Sequence, residues 1–228
     1  EATLVASGGA GGDRFGSEVA FSADASRALI GAPNDDTVGG ADAGSTRVFA
    51  RTLTTWTEEA MLVAGDGATT DRFGAAVALS ADGSRALVGV FHDGTGDAGS
   101  ARVFVRAATT WTEDVLLLAT AAQAADEFGA AVALTDDGSH ALVSVPQDDT
   151  TAGTDAGSAR YFALTPAGSN GASCSAGLEC VSGLCTDGVC CDTACGGGAA
   201  TDCMGCSAAL TGGPSGTCAP LSATVAPT

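Results

Sequence analysis

Asp13-Arg14-Phe15-Gly16 recurs as Asp71-Arg72-Phe73-Gly74 and again as Asp126-Glu127-Phe128-Gly129, and the residues after each copy recur with it. A small-apolar run comes first: Val19-Ala20-Phe21-Ser22, Val77-Ala78-Leu79-Ser80, then Val132-Ala133-Leu134-Thr135. A turn comes next at Asp24-Ala25-Ser26, Asp82-Gly83-Ser84 and Asp137-Gly138-Ser139, then a second run at Arg27-Ala28-Leu29-Ile30, Arg85-Ala86-Leu87-Val88 and His140-Ala141-Leu142-Val143. An acidic loop ends in Asp-Ala-Gly-Ser at Asp42, Asp97 and Asp155, and a third run closes the unit at 46–50, 101–105 and 159–163. The three phenylalanines lie 58 and 55 residues apart. A fixed period of that size marks an array of supersecondary units rather than a conventional enzyme core.

The runs are short, β-branched or small, and bounded by Gly, Asp and Ser, which predicts strands throughout. Asp82-Gly83 and Asp137-Gly138 between two such runs are hairpin signals. A fourth strand per unit is expected over Trp56–Ala64 and Trp111–Ala119. Glu1–Ala6 aligns with Glu59–Ala64, so the chain is expected to open inside a fourth strand, with upstream residues removed or left out. The third unit lacks its Trp-containing strand, and Glu1–Ala6 could complete it, as in the ring closure of a propeller. The fold expected is therefore all-β: a propeller-like array of three four-stranded blades over residues 1–165. Three blades are too few to close a ring, since propellers typically need about four to eight. An excerpt of a longer propeller is the simpler reading, and self-assembly of chains into a ring is the alternative.

Composition narrows the partners. Net charge is −18, from 27 acids against 9 bases, and every base is Arg. Nucleic acid and anionic membrane surfaces are poor partners for this charge, because phosphate binding runs on clustered Lys and Arg. Cationic ligands, divalent metals and basic proteins suit this charge; so does a plain solvated surface. No membrane-spanning run or signal peptide is visible in the sequence, and no membrane insertion is expected.

Beyond the repeats the chemistry changes. Residues 166–173 have linker composition, 174–218 form a Cys-rich module, and 219–228 read as a flexible tail. Cys174, Cys180, Cys185, Cys190, Cys191, Cys195, Cys203, Cys206 and Cys218 all fall in the module and none in the repeats. Dense cysteines in so small a span predict a disulfide framework of unassigned pairing in an oxidising compartment. Nine is odd, so one thiol is free or its partner lies elsewhere. Cys203-Met204-Gly205-Cys206 lacks the second pair or histidine that a zinc site needs.

The repeat region resembles the FG-GAP family, the units of the integrin α-subunit propeller and of many bacterial surface proteins. Phe15-Gly16, Phe73-Gly74 and Phe128-Gly129 carry the FG element; Gly31-Ala32-Pro33 carries the GAP element, which decays to Gly89-Val90-Phe91 and Ser144-Val145-Pro146. The span Asp187–Cys195 resembles a Cys-rich module of secreted or surface-exposed myxobacterial proteins. Together the resemblances imply a bacterial extracellular protein. In integrin-like repeats a loop between the first two strands binds Ca²⁺; here it has shrunk to Ser22–Arg27 and its equivalents, too tight to wrap an ion with six or more oxygens.

The remaining metal candidates are the acidic loops: Asp35, Asp36 and Asp42; Asp93 and Asp97; Asp148, Asp149 and Asp155. Two readings stand. Either these oxygen-rich loops hold Ca²⁺ weakly, or they are solvated turns whose carboxylates cap backbone amides. Asp13, Asp71 and Asp126 read as turn residues, the FG phenylalanines as packing between blades, and their glycines as close-approach positions. Trp56 and Trp111 read as blade-packing residues, with sugar stacking as the functional option. His92 and His140 belong to no nucleophile–base arrangement, so no catalytic residue is assigned and the chain is read as a non-enzyme. The function expected is an extracellular or cell-surface binding or adhesion module, with a protein or carbohydrate ligand at a propeller face. The alternatives are a structural spacer in a surface assembly and the non-catalytic part of a longer enzyme.

Overall fold

Short runs of small and β-branched residues, broken by Asp-Gly and Asp-Ala turns, fold as short hairpins. The computed structural model describes residues 1–164, together with the backbone of four two-residue strands further on. Residues 1–164 form one unit and residues 165–228 a second.

The first unit holds three antiparallel sheets and no helix. The first contains β1 (Val19–Phe21), β2 (Arg27–Ala32), β3 (Ser45–Thr52) and β4 (Thr55–Leu62), in that spatial order. The second repeats it with β5 (Ala76–Leu79), β6 (Arg85–Val90), β7 (Ser100–Ala107) and β8 (Thr110–Leu117). The third has three strands among the described residues: β9 (Val132–Leu134), β10 (His140–Val145) and β11 (Ser158–Ala163). These are the blades of an unclosed propeller. Two blades carry the expected four strands, and the third carries three.

Register follows the repeat. Leu29 faces Val48 and Leu87 faces Val103 across the middle pair of each complete sheet. Both outer pairs carry a bulge at the same place: Glu59 is the extra residue between Ala60 and Glu58, and Asp114 the extra residue between Val115 and Glu113. A bulge re-aims the side chains around it, which matters for the acidic residues here. The innermost turns are stitched from blade to blade: Ala23 N–H donates to the Ala81 carbonyl, and Ala81 N–H to the Asp136 carbonyl.

The FG phenylalanines do what the sequence predicts. Phe73 is fully buried between the first and second sheets, edge-on to Phe104 at 5.8 Å between ring centres. Phe128 is fully buried between the second and third, edge-on to Phe162 at 5.9 Å. The glycines explain the rest of the motif. A Cβ on Gly31 would stand 2.1 Å from the Gly74 carbonyl oxygen, and one on Gly89 2.0 Å from that of Gly129. Each GAP glycine thus lies beneath the FG glycine of the next blade. In the third blade this position is Ser144, whose Oγ accepts the Ala131 N–H at 2.7 Å.

Glu1–Ala6 does not complete the third blade. Leu4 and Phe15 pack on Ala28, Ile30 and Phe49 of the first sheet. Leu62 and Phe73 occupy the equivalent place on the second sheet, so the segment mimics the end of a fourth strand on the opposite side of the array from β11. Apolar contact with the first sheet outweighs pairing with a strand two blades away.

In the second unit, β12 (Cys185–Thr186) pairs with β13 (Val189–Cys190), and β14 (Met204–Gly205) with β15 (Ala219–Pro220). β15 falls in the span read as a flexible tail. The linker, the disulfide framework and the myxobacterial-like module lie outside the described residues.

Candidate functional site

The third strand of each blade carries Ser-x-Arg: Ser45-Thr46-Arg47, Ser100-Ala101-Arg102 and Ser158-Ala159-Arg160. Residues two apart on a strand point to the same face, so hydroxyl and guanidinium converge on the loop before them. Each meets the first aspartate of that loop. Asp35 Oδ2 accepts the Ser45 hydroxyl at 2.5 Å and Arg47 Nη2 at 2.9 Å. Asp93 Oδ2 accepts Ser100 at 2.5 Å and Arg102 Nη2 at 2.8 Å. Asp148 Oδ2 accepts Ser158 at 2.5 Å and Arg160 Nη2 at 2.7 Å.

A second carboxylate caps the arginine where a fourth strand exists. Arg47 Nη1 reaches Glu58 at 3.2 Å, and Arg102 Nη1 reaches Glu113 at 2.8 Å. Arg102 also pairs with Asp66. Burial works against the Arg102 charge, but hydrogen bonds to Asp93 and Glu113 more than offset it and hold its pKa above the ordinary value. The bulge residues serve other arginines: Glu59 takes Arg27 at 3.0 Å and Arg106, while Asp114 lies 3.8 Å from Arg85. Burial pushes the Asp114 carboxyl up, with Arg85 opposing.

Among the described residues Arg160 has no such cap from a fourth strand. Its side chain is 36 % exposed, against 6 % for Arg47 and 3 % for Arg102. It borders a groove of about 610 Å³ shared with Thr120, Gln123, Asp148 and Thr150.

Five of the eight aspartates proposed for calcium meet other partners through their side chains. Asp35, Asp93 and Asp148 are taken up by arginine and serine. Asp36 Oδ1 accepts the Asp42 N–H and Asp149 Oδ1 the Asp155 N–H, both at 2.9 Å. Asp42, Asp97 and Asp155 hold positive φ (52°, 61° and 51°), a backbone state that Asp tolerates in turns. Among the described residues no group of three or more acidic, histidine or cysteine side chains is placed to hold a metal ion. Five of the eight carboxylates, those of Asp35, Asp36, Asp93, Asp148 and Asp149, thus already face arginine, hydroxyl or amide donors. The capping alternative describes Asp36 and Asp149. The arginines that organise the loops were missed in the sequence; the signal that could have found them is the in-phase Ser-x-Arg.

Other candidates fall into place as turn and core residues. Asp13, Asp71 and Asp126 accept the N–H three residues upstream, at 2.5, 2.6 and 2.7 Å. Trp111 packs against the core between the first two sheets, and Trp56 against the first sheet beneath Arg51, whose guanidinium lies 5.6 Å from the ring centre. His140 stacks on Tyr161 at 5.4 Å. Ser139 Oγ lies 2.7 Å from His140 Nδ1 and donates to Asp137 at 2.7 Å. The carboxylate thus meets the hydroxyl and not the imidazole, which is the wiring of a turn rather than of a nucleophile.

The sequence model of the FG-GAP repeat matches the chain three times, over residues 1–49, 56–104 and 111–162, well over half its length. Each later match runs from the fourth strand of one sheet through the third strand of the next, so the sequence unit straddles a joint between blades. No curated protein matches the chain. Among solved structures, the Pseudomonas aeruginosa periplasmic gluconolactonase PpgL is similar at 14 % identity with a TM-score of 0.45. That likeness covers 66 % of this chain and 40 % of that one, so the chain spans less than half of that structure.

Proposed function

The chain belongs to the FG-GAP repeat family, and from that premise we propose that it is a non-catalytic binding module of a secreted or surface-exposed bacterial protein, taking a basic protein ligand on its acidic loops. The observation that carries this reading is the loop end of the array. Asp36, Asp97, Asp149 and Asp155 are all exposed there, in equivalent loops of neighbouring blades, on a chain of net charge −18. Loops held by a rigid sheet scaffold are where ligands are met. Exposed carboxylates of one sign raise the encounter rate with a cationic partner. The dense cysteines between Cys174 and Cys218 support an oxidising compartment. Calcium has no part in this proposal, which needs only the exposed carboxylates and a cationic ligand.

An arginine-rich peptide titrated into the full chain tests it. Asp97→Asn, Asp149→Asn and Asp155→Asn together are expected to weaken binding about tenfold at low salt. A control that removes as many charges elsewhere, Glu1→Gln with Glu18→Gln and Asp136→Asn, is expected to change it little. Equal losses from both sets would mean that net charge alone attracts the peptide, and the loop reading would fail.

A further inference from the structure

We propose that the open edge of the third blade is a strand-docking site for an acidic, extended segment of a partner protein, whose glutamate is received by Arg160 and Thr120. The site adjoins the third acidic loop, since Asp148 and Asp149 line the same groove, but it rests on the strand edge and Arg160 rather than on the exposed carboxylates.

The molecule contains two filled copies of this site. In the first blade β4 pairs along β3, and its Glu58 takes Arg47 Nη1 at 3.2 Å together with the Ser7 N–H at 2.8 Å and the Ser7 hydroxyl at 2.9 Å. In the second blade β8 pairs along β7, and its Glu113 takes Arg102 Nη1 at 2.8 Å and the Gly65 N–H at 3.3 Å. Two donors of fixed origin therefore receive each glutamate: the third-strand arginine, and the residue six before the next Asp-x-Phe-Gly aspartate.

The third blade keeps both donors. Arg160 is the third-strand arginine, and Thr120 stands six residues before Asp126, offering an N–H and a hydroxyl as Ser7 does. Both line the groove of about 610 Å³ beside β11. Among the described residues β11 pairs with β10 alone, so its far edge presents free backbone groups. An exposed edge of this kind accepts a partner strand through main-chain hydrogen bonds, with side-chain pockets supplying selectivity. Charge points the same way. Arg102 carries Asp66, Asp93 and Glu113, whereas among the described residues Arg160 pairs with Asp148, with Asp149 also lining the groove, so its guanidinium meets fewer carboxylates than that of Arg102. The occupant is thus a strand with a glutamate at the register of Glu58 and Glu113, which sit opposite Phe49 and Phe104; the equivalent residue of β11 is Phe162.

The probe is a capped, fluorescent octapeptide with the β8 sequence Thr-Trp-Thr-Glu-Asp-Val-Leu-Leu, titrated into the full chain by anisotropy. Saturable binding is expected. It should weaken about tenfold when the peptide glutamate is replaced by Gln, and comparably in the Arg160→Met chain. The peptide substitution leaves the protein untouched, so it decides the matter even where Arg160→Met fails to fold. Absent saturation, or equal binding of the Gln peptide, overturns the proposal. Sedimentation velocity covers the remaining occupant. Self-association that both Arg160→Met and excess peptide abolish would assign the groove to a second copy of the chain, and the partner-segment proposal would fall.

Discussion

Gly31 and Gly89 hold their positions by what they lack. Each faces the next blade's glycine carbonyl at 2.1 or 2.0 Å from where a Cβ would stand, and backbone cannot swing aside as a side chain can. Gly89→Ala is therefore expected to cost about 3 kcal/mol, at the upper end for forced overpacking. Ser144→Ala, which only removes an acceptor for the Ala131 N–H, should cost about 1 kcal/mol. Urea unfolding of the two variants compares them directly. Phe73→Ala should cost about 3–5 kcal/mol as a fully buried ring is lost, and Phe15→Ala less, since Phe15 is only half-buried. The turn aspartates add a pH dependence. The Ser26 N–H and the Ser22 hydroxyl hold the Asp24 carboxyl down at about 2. For Asp82, burial raises the pKa, but hydrogen bonds from Ser80 and Ser84 outweigh it, and the net shift is downward. Thr135 and Ser139 lower Asp137 in the same way. An acid with a depressed folded-state pKa lends stability above its unfolded value and loses it on acidification. Stability is expected to fall between pH 3.8 and about 2, and the triple variant Asp24→Asn, Asp82→Asn and Asp137→Asn should flatten that fall in urea midpoints measured across the window.

At the scale of the strand, β3, β7 and β11 each combine a core face with an arginine held by the preceding loop. Removing a buried arginine strands its carboxylates. Arg102→Met should cost about 3–5 kcal/mol, because Asp93 and Glu113 lose their counter-charge together. Arg160→Met should cost less, because the pair it breaks is partly solvated. Thermal melts of the two variants test the ranking. The strands themselves were legible: the three β1-type runs, the Asp-Gly hairpins and the Trp-led fourth strand all fall within a residue or two of their place. The acidic loops were legible as loops but not in chemistry. Aspartate in a polar loop looks the same whether it will meet a cation or an arginine twelve residues on, as Asp35 meets Arg47. The bulges at Glu59 and Asp114 were not legible either, since an extra residue on one strand shows only against its partner.

At the scale of the whole array, among the described residues of the first unit each sheet packs on its neighbours, so stability there is a sum of sheets and joints. Phe128→Ala weakens the second joint alone. Hydrogen exchange should then show β9–β11 losing protection while β1–β4 keep theirs; uniform loss would mean one indivisible core. The array was readable from the period of the phenylalanines. The seat of Glu1–Ala6 was not, because alignment with Glu59–Ala64 gives the shape of the segment and not the sheet it lies on. Ser144 has a last consequence. Both joints are formed where a hydrogen atom stands in for a side chain, and the third unit has filled that vacancy with a hydroxymethyl group. The units are consequently not interchangeable: transplanted into second place, the third would jam against its successor.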